Sequence, residues 1–199
     1  MEKTIYASFN DTTIRVYQAY NHTIADEAVR LGHFVSHFKM DRMTWSKPSF
    51  LWMMYRSGWA SKEGQERVLA IDLSIEGFRT ILQEVVLSTY NEALYQTTQN
   101  WQQKVATSQV RWQRDPDKDL HSQPMPRKAI QLGLRGDMVI QYVQNWTSSI
   151  TDITDYVHET KKLLDHNQLE QITLPKETAF PLSEQEKQIL GIPTQQTVE

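Results

Sequence analysis

The chain of 199 residues contains no cysteine. This absence excludes a disulfide scaffold, a cysteine-based zinc site, an iron–sulfur cluster and a thiol nucleophile. Any chemistry must therefore come from Arg, Tyr, Ser, Gln, His or carboxylate side chains.

Long apolar runs are also missing from the sequence. No segment reaches the roughly 18 apolar residues that a membrane-spanning helix needs, and no apolar core of a secretory signal follows Met1. We therefore expect a cytoplasmic protein that does not associate with a membrane. The length fits one domain. We place that domain at residues 1–182, with a short C-terminal helix and a flexible tail over 183–199.

The common active-site fingerprints are absent as well. The sequence has no P-loop, no Gly-rich dinucleotide fingerprint and no Gly-x-Ser-x-Gly motif. His33 and His37 are four residues apart, a spacing that metal ligands can use, but the sequence fixes no third ligand. We expect no metal site.

Charge is unevenly distributed along the chain. The formal net charge is −3, and the segment from Ile150 to the end holds nine acidic and four basic residues. The preceding part is therefore slightly basic. This distribution allows a local basic cleft that binds an anion.

Periodicity and turn residues predict a mixture of strands and helices, which indicates an α+β fold with a mixed sheet and packed helices. Strands are expected at 12–20, 68–73, 109–113, 129–134 and 150–153, with a short strand or a loop around 43–45. Helices are expected at 23–31, 48–57, 90–98 or further, 155–167 and 183–191, with others beginning at Ser74 and Gly136. The Ser74 helix carries Val85 and Val86 on its apolar stripe, a turn interrupts the chain at 115–117, and Pro124 and Pro126 mark a loop.

The segment 44–60 is the richest in aromatic residues. On a helix, one broad face carries Ser49, Trp52, Tyr55, Arg56 and Trp59, and the opposite side is ordinary core. An aromatic ring can stack on a base or a nicotinamide, and an arginine can bind a phosphate with two hydrogen bonds. The alternative is a helix that is buried on both sides, with its arginine in a structural ion pair.

The first long strand alternates between two faces. Arg15 and Tyr17 fall on one face, and Gln18 and Tyr20 fall on the other. A buried Gln18 needs partners for both of its amide atoms, so it is a candidate to hold a carboxamide or a ribose hydroxyl. The alternative is a polar residue on the exposed face of an edge strand.

A second candidate region lies near Gln131, which is followed by two glycines and Arg135. Backbone amides at the start of the following helix can hold an anion, although a plain turn fits the pattern as well. Five basic residues also lie around Trp112, and such arginine–tryptophan pairs suit single-stranded nucleic acid. They are Arg111, Arg114, Arg127, Lys128 and Arg135. A solvated face paired with nearby aspartates explains them equally well.

Two strings give a resemblance to a known family. The strings VYQAY, over 16–20, and KPSFLWMMYRSGW, over 47–59, are similar to motifs of a family described only as a domain of unknown function. The similarity extends to about Pro181. It implies one fold unit and carries no activity.

The order of elements more distantly resembles the ADP-ribosyltransferase superfold, which implies NAD as a ligand. The parallel segments are 17–19, then 44–46 leading into a helix with Tyr55, then 68–73, then Gln131. In that family, histidine or arginine usually stands at the position of Gln18, and a catalytic glutamate at that of Gln131. A neutral amide does not stabilise an oxocarbenium-like charge as a carboxylate does, so the resemblance shifts the expectation towards phosphate-directed chemistry or simple binding.

Together these observations predict an ADP-ribosyltransferase-like protein that binds NAD or an RNA end, with transferase activity left open. Arg15, Gln18 and Gln131 are the catalytic candidates, with Arg15 and Arg56 on phosphates, Tyr20 and Tyr55 stacking, and Gln18 reading an amide or hydroxyl. The full set of ligand-binding candidates is Tyr20, Ser46, Lys47, Ser49, Trp52, Tyr55 and Arg56. The alternatives are a single-stranded nucleic-acid binder that uses Trp112, and a partner-binding adaptor that uses exposed tryptophan.

Overall fold

The computed structural model describes residues 3–35 and 38–193. The strands are β1 (Tyr6–Ala7), β2 (Thr13–Tyr20), β3 (Thr44–Ser46), β4 (Arg67–Ser74), β5 (Val85–Leu87), β6 (Val110–Lys118), β7 (Pro124–Leu134), β8 (Thr147–Asp152) and β9 (Thr178–Ala179). The helices are α1 (His22–Leu31), α2 (Phe50–Ser57), α3 (Ile75–Gln83), α4 (Glu92–Tyr95), α5 (Thr98–Thr107), α6 (Asp137–Gln141), α7 (Thr154–Asp165) and α8 (Glu184–Ile189).

The strands form two main sheets and one short pair. Strands β2, β4 and β8 make an antiparallel sheet in that order, and β1 pairs with β9. The second sheet has the order β3-β7-β6-β5, and only its β5–β6 pair is parallel. The prediction of an α+β fold with a mixed sheet is therefore confirmed.

Strand β4 lies at the centre of the core, as its continuous apolar sequence predicts. Leu69, Ile71 and Leu73 are fully buried in the larger apolar cluster, whereas Val68 and Ala70 are fully buried in the smaller one. Because successive side chains of a strand point to opposite faces, β4 separates the two clusters and contributes to both.

A pair of backbone hydrogen bonds joins the two main sheets. The N–H of Tyr17 in β2 donates to the carbonyl of Lys47 (2.8 Å), and the N–H of Lys47 donates to the carbonyl of Tyr17 (3.3 Å). The bridge is antiparallel, so the end of β2 runs alongside β3 towards its start. The residues that follow β2 and the segment that precedes β3 therefore lie close together, and both line one cleft.

Helix α2 begins later than the sequence predicts. Ser49, and not Ser46 or Lys47, is the N-cap, and its hydroxyl accepts a hydrogen bond from the N–H of Trp52. The N–H of Phe50 donates to the carboxylate of Glu177 (2.7 Å), which caps the same end of the helix. Gly58 ends the helix in the left-handed conformation (φ 61°), as predicted.

The expected helix stripe through Val85 and Val86 is wrong. Helix α3 ends at Gln83, and both valines belong to β5, where Val85 lies opposite Val110 of β6. The spacing of the stripe also fits a helix, but β-branched valines are more stable in a strand, where they pack against a neighbouring strand. Nothing local to this segment reveals that partner.

The turn expected at Asp115-Pro116-Asp117 and the loop expected at Pro124 and Pro126 are also wrong. All five residues lie in the long β6–β7 hairpin, with a register shift near Pro116. Proline is tolerated there because β5 pairs only with 110–112 and β3 only with 132–134. The far end of the hairpin therefore leaves one side of each strand unpaired, and proline needs no donor on that side.

The helix predicted from Gly136 is short. Helix α6 covers five residues and continues as a π-helical turn, Tyr142–Trp146. Trp146 packs against Gly77 of α3 so closely that an added Cβ would lie 2.3 Å from its ring.

The predicted helix at Ser183 is confirmed, with both hydrogen bonds of a capping box. Residues 194–199 of the predicted flexible tail lie outside the described residues.

Candidate functional site

A cleft with a volume of about 750 Å³ lies where the two main sheets meet. It is bounded by the ends of β2 and β3, the start of α1, the segment before β3, and α2. Its main side chains are Gln18, Tyr20, Thr23, Phe38, Lys39, Arg42, Thr44, Trp45, Lys47 and Arg56. A volume of this size accommodates a nucleotide or a similar small ligand.

The cleft is strongly basic. Four cationic side chains line it, and none of the lining residues that the structure describes is acidic. Lys39, Arg42 and Arg56 are exposed, and no carboxylate in the described part of the chain pairs with them. Like charges that converge without counter-charges repel one another, so this arrangement favours an anionic ligand.

Lys47 is the buried member of this group, with 9% of its surface exposed. Its Nζ donates to the carbonyl of Trp45 (2.8 Å). Burial lowers the pKa of Lys47 to about 8, with a further decrease from the charge of Arg56 and a partial increase from that of Asp115. An anion bound beside Lys47 would restore its full charge, because opposite charge favours the protonated form.

A chain of three hydrogen-bonding side chains enters the cleft from the core. The hydroxyl of Tyr142 donates to Oε1 of Gln18 (2.6 Å), and Nε2 of Gln18 donates to the hydroxyl of Tyr20 (2.7 Å). Burial raises the pKa of Tyr20, so its hydroxyl stays protonated at neutral pH. Since that oxygen already accepts from Gln18, its proton is directed elsewhere and can be donated to a ligand.

The aromatic wall of the cleft depends on a close approach between two strands. Trp45 of β3 lies opposite Gly133 of β7, and a Cβ added to Gly133 would come within 2.9 Å of two indole carbons. Only glycine leaves room for this ring position. Tyr20 is held nearby by edge contacts with Phe34 and Phe38, at 5.3 and 5.9 Å between ring centroids.

Four of the residues predicted from sequence line the cleft: Gln18, Tyr20, Lys47 and Arg56. Arg15 lies elsewhere, on the opposite face of β2. Its guanidinium binds both carboxylate oxygens of Asp72 on β4, at 2.8 and 2.9 Å. The hydroxyl of Ser149 also donates to that carboxylate (3.0 Å), so Arg15 is part of a structural network on the sheet surface.

The two predicted serines are buried beside the cleft and do not line it. Ser46 is 1% exposed, and its hydroxyl has no hydrogen-bond partner within the described part of the chain. Ser49 is 4% exposed and caps α2. The structure therefore gives Ser49 a structural role in starting the helix.

Trp52 and Tyr55 lie on the side of α2 next to the cleft. The ring centroid of Trp52 lies 5.7 Å from Nζ of Lys47. The hydroxyl of Tyr55 donates to the carbonyl of Asp119 and accepts from the N–H of Ser122 (3.1 Å), so Tyr55 attaches α2 to the β6–β7 hairpin.

Gln131 belongs to a polar cluster on the four-stranded sheet. It lies opposite Gln113, and both side-chain amides donate to the carboxylate of Asp115. The negative charge of that carboxylate also raises the pKa of Lys47, against the larger effect of burial. Gln131 thus connects to the cleft indirectly, by orienting an aspartate that influences its buried lysine.

Sequence reasoning missed Lys39, Arg42 and Trp45 as lining residues. The two basic residues belong to a segment without clear periodicity, and only the fold brings them next to β2. Their signal was the pair of cations in Lys39-Met-Asp-Arg42, directly before a predicted aromatic segment.

Four residues of the nucleic-acid alternative make contacts within the fold: Trp112, Arg111, Arg127 and Arg135. Trp112 is 2% exposed and contributes to the core. Arg111 and Arg135 donate to backbone carbonyls at the end of α5, and Arg127 pairs with Asp117. The adaptor alternative needs an exposed tryptophan, but all six are buried or half-buried.

The described residues contain no group of three or more potential metal ligands. They also contain no helix of the length and apolarity required to cross a bilayer.

Comparison with known families gives one match over most of the chain: the model of a domain of unknown function, DUF4291, matches residues 4–180. No curated protein and no solved structure matches the chain significantly.

Proposed function

The chain belongs to the DUF4291 family, and we propose that its basic cleft binds the phosphate groups of a nucleotide, either NAD or the terminal nucleotide of an RNA. The observation that carries this proposal is the convergence of four cationic side chains in a cleft whose described lining contains no carboxylate. Phosphates are the common biological anions that match several arginines and lysines at once.

Each part of the cleft suits one part of a nucleotide. Arg42 and Arg56 are exposed and unpaired among the described residues, so they are available to bind phosphate oxygens with two hydrogen bonds each. The indole of Trp45 offers a surface for a base or a nicotinamide. The hydroxyl of Tyr20, held by Gln18, offers a donor for a ribose hydroxyl or a phosphate oxygen.

The lining favours binding and phosphate-directed work over transfer of ADP-ribose from NAD. Such transfer passes through an oxocarbenium-like state, which a carboxylate stabilises and an amide does not. The carboxylate connected to the cleft is that of Asp115, which is engaged by two glutamine amides.

A cytoplasmic location, expected from the sequence, remains part of the proposal.

Isothermal titration with ADP, ADP-ribose, NAD and a short RNA tests this proposal. We expect micromolar to millimolar binding of at least one of them. Arg42→Gln and Arg56→Gln should each weaken it by about tenfold or more, because a hydrogen bond to a charged group contributes roughly 1.5–3 kcal/mol. Arg30→Gln removes an exposed arginine of α1 outside the cleft, and it should leave the affinity unchanged.

Two results would overturn the proposal. The first is a folded wild-type protein that binds none of these ligands at millimolar concentration. The second is binding that Arg42→Gln and Arg56→Gln weaken no more than Arg30→Gln does.

A further inference from the structure

We infer that the ligand of this cleft is the end of a single-stranded polynucleotide, because a row of aromatic and basic side chains leads out of the cleft along α2. The row consists of Trp52, Tyr55, Arg56 and Lys118, and we call it the α2 row. This inference rests on the proposed function and specifies its substrate class.

The α2 row is continuous with the cleft. Lys47 lines the cleft, and its Nζ lies 5.7 Å from the ring centroid of Trp52. Trp52, Tyr55 and Arg56 are three and four positions apart on α2, so they share one face of the helix. At the far end, Nζ of Lys118 lies 5.7 Å from the ring centroid of Tyr55. Arg56 belongs to both the row and the lining of the cleft, so the row begins at the cleft.

The chemistry of the row matches a strand with free bases. A single strand presents alternating planar bases and phosphates, and its binders combine stacking rings with a basic path. Trp52 and Tyr55 are half-buried, so part of each ring is open, while Arg56 and Lys118 are exposed. The rings can stack only on bases that are not already paired. A mononucleotide held in the cleft would leave Trp52, Tyr55 and Lys118 of the row unused.

One ring of the row is fixed before any ligand binds. The Tyr55 hydroxyl is held by the carbonyl of Asp119 and the N–H of Ser122, and the ring meets Trp59 edge-on at 6.3 Å. A fixed ring loses little conformational entropy on binding, which favours its use as a stacking surface.

The nearby acidic residues are already engaged. Both carboxylate oxygens of Asp115 accept hydrogen bonds from glutamine amides. One carboxylate oxygen of Asp119 accepts from the backbone N–H groups of His121 and Gln123, at 2.8 and 3.0 Å. Local donors thus partly balance the charges of both aspartates, and these hydrogen bonds stabilise the β6–β7 hairpin that carries Lys118.

The test compares three probes by fluorescence anisotropy and competition: adenosine monophosphate, a hexanucleotide with the same terminal phosphate, and the same hexanucleotide in a duplex. We expect the single strand to bind at least about tenfold more tightly than the mononucleotide, because one stacked base contributes roughly 1–3 kcal/mol. The duplex should bind more weakly than the single strand. Equal affinity for mononucleotide and hexanucleotide overturns the inference.

Two variants locate the strand on the row. Lys118→Gln should weaken hexanucleotide binding, leave mononucleotide binding unchanged, and make the slope of log K against log salt less negative by about 0.7. Lys104→Gln removes an exposed lysine of α5 that touches neither the cleft nor the row, and it should change none of these values. Trp52→Leu should weaken hexanucleotide binding by about tenfold, and Trp52→Phe should restore part of it.

The outcomes separate this inference from the proposed function. If none of the three probes binds, the inference fails, and the titrations with ADP, ADP-ribose and NAD decide the proposed function separately. If the mononucleotide binds and the hexanucleotide gains nothing, or if Lys118→Gln and Lys104→Gln behave alike, the cleft binds nucleotides and the strand path is wrong. Since Lys118 is exposed, its substitution decides the question even if Trp52→Leu lowers the thermal stability.

Discussion

The hydroxyl of Tyr142, which is fully buried, donates a hydrogen bond of 2.6 Å to the side-chain carbonyl of Gln18. This bond fixes which end of the amide points towards the cleft, because the other end then donates to Tyr20. A residue of the core thus sets the orientation of a donor that lines the candidate site.

Removing that hydroxyl tests the role of the bond. Tyr142→Phe leaves Oε1 of Gln18 buried without a partner, which should lower the free energy of unfolding by about 1–3 kcal/mol. It should also weaken nucleotide binding, because the amide is then free to rotate and Tyr20 loses its fixed donor. Urea unfolding and titration calorimetry measure the two effects. Unchanged values of both would show that this bond orients nothing.

Binding should depend on the charge of Lys47. The pKa of this lysine is lowered to about 8, chiefly by burial, so the free protein loses its positive charge as the pH rises through about 8. An anionic ligand prefers the charged form, so affinity should be roughly constant below that pH and fall above it. Lys47→Gln should bind more weakly and lose this dependence. Titrations with NAD from about pH 7 to about pH 9 check this, because the phosphates of its diester linkage do not titrate in that range.

The same linkage predicts proton uptake. At a pH near 8, the ligand should raise the pKa of Lys47 and so draw a proton from the buffer. Calorimetry in two buffers of different ionisation enthalpy measures this uptake, and Lys47→Gln serves as its control. A binding enthalpy that is independent of the buffer would contradict contact between the phosphate and this lysine.

Glu177 should make stability depend on pH in the opposite sense to an ordinary carboxylate. Burial raises its pKa to about 7 in the folded protein, against a usual value of 4.5. Between these values the folded state binds the proton and the unfolded state does not, so the free energy of unfolding falls as the pH rises through this window. Glu177→Gln should flatten the slope and still accept from the N–H of Phe50. Urea unfolding from pH 4.5 to pH 7 tests this expectation, which an identical slope in both proteins would refute.

The contact between Gly133 and Trp45 should be sensitive to a single methyl group. Gly133→Ala places a Cβ 2.9 Å from the indole and 2.8 Å from Sδ of Met43. Overpacking of this kind costs about 1–3 kcal/mol, and it should also weaken nucleotide binding by displacing the indole. Gly77→Ala is the matched control, because its Cβ would meet Trp146 outside the cleft. It should lower stability and leave the affinity of the remaining folded protein unchanged. Equal effects of both variants on affinity would argue against a role for Trp45 in binding.

Local chemistry made several elements predictable. The alternation in β2 and the apolar run in β4 predict strands, and glycines mark the ends of α1 and α2. Each of these signals lies within one element. The errors arose where a distant strand decided the outcome, as with Val85, whose partner is Val110, and with the prolines of the β6–β7 hairpin.

The candidate site divides in the same way. The sequence indicated the aromatic face of α2, because residue type and period suffice for it. It left Gln18 open between a buried, hydrogen-bonded residue and an exposed one, and the structure shows it buried. It could not indicate that Arg15 pairs with Asp72, because that contact depends on the register between β2 and β4.

The absence of cysteine restricted this protein to the chemistry of its arginines, lysines, tyrosines, amides and carboxylates, and that restriction follows from the sequence by itself. Which of its cations act together was decided only by the tertiary structure. Lys39 and Arg42 precede β3, Lys47 follows it and Arg56 lies on α2, and the backbone bridge between Tyr17 and Lys47 helps to bring these parts of the chain around one cleft. Charge is a property of each residue, whereas the convergence of like charges on one ligand requires the folded chain to hold them against their repulsion.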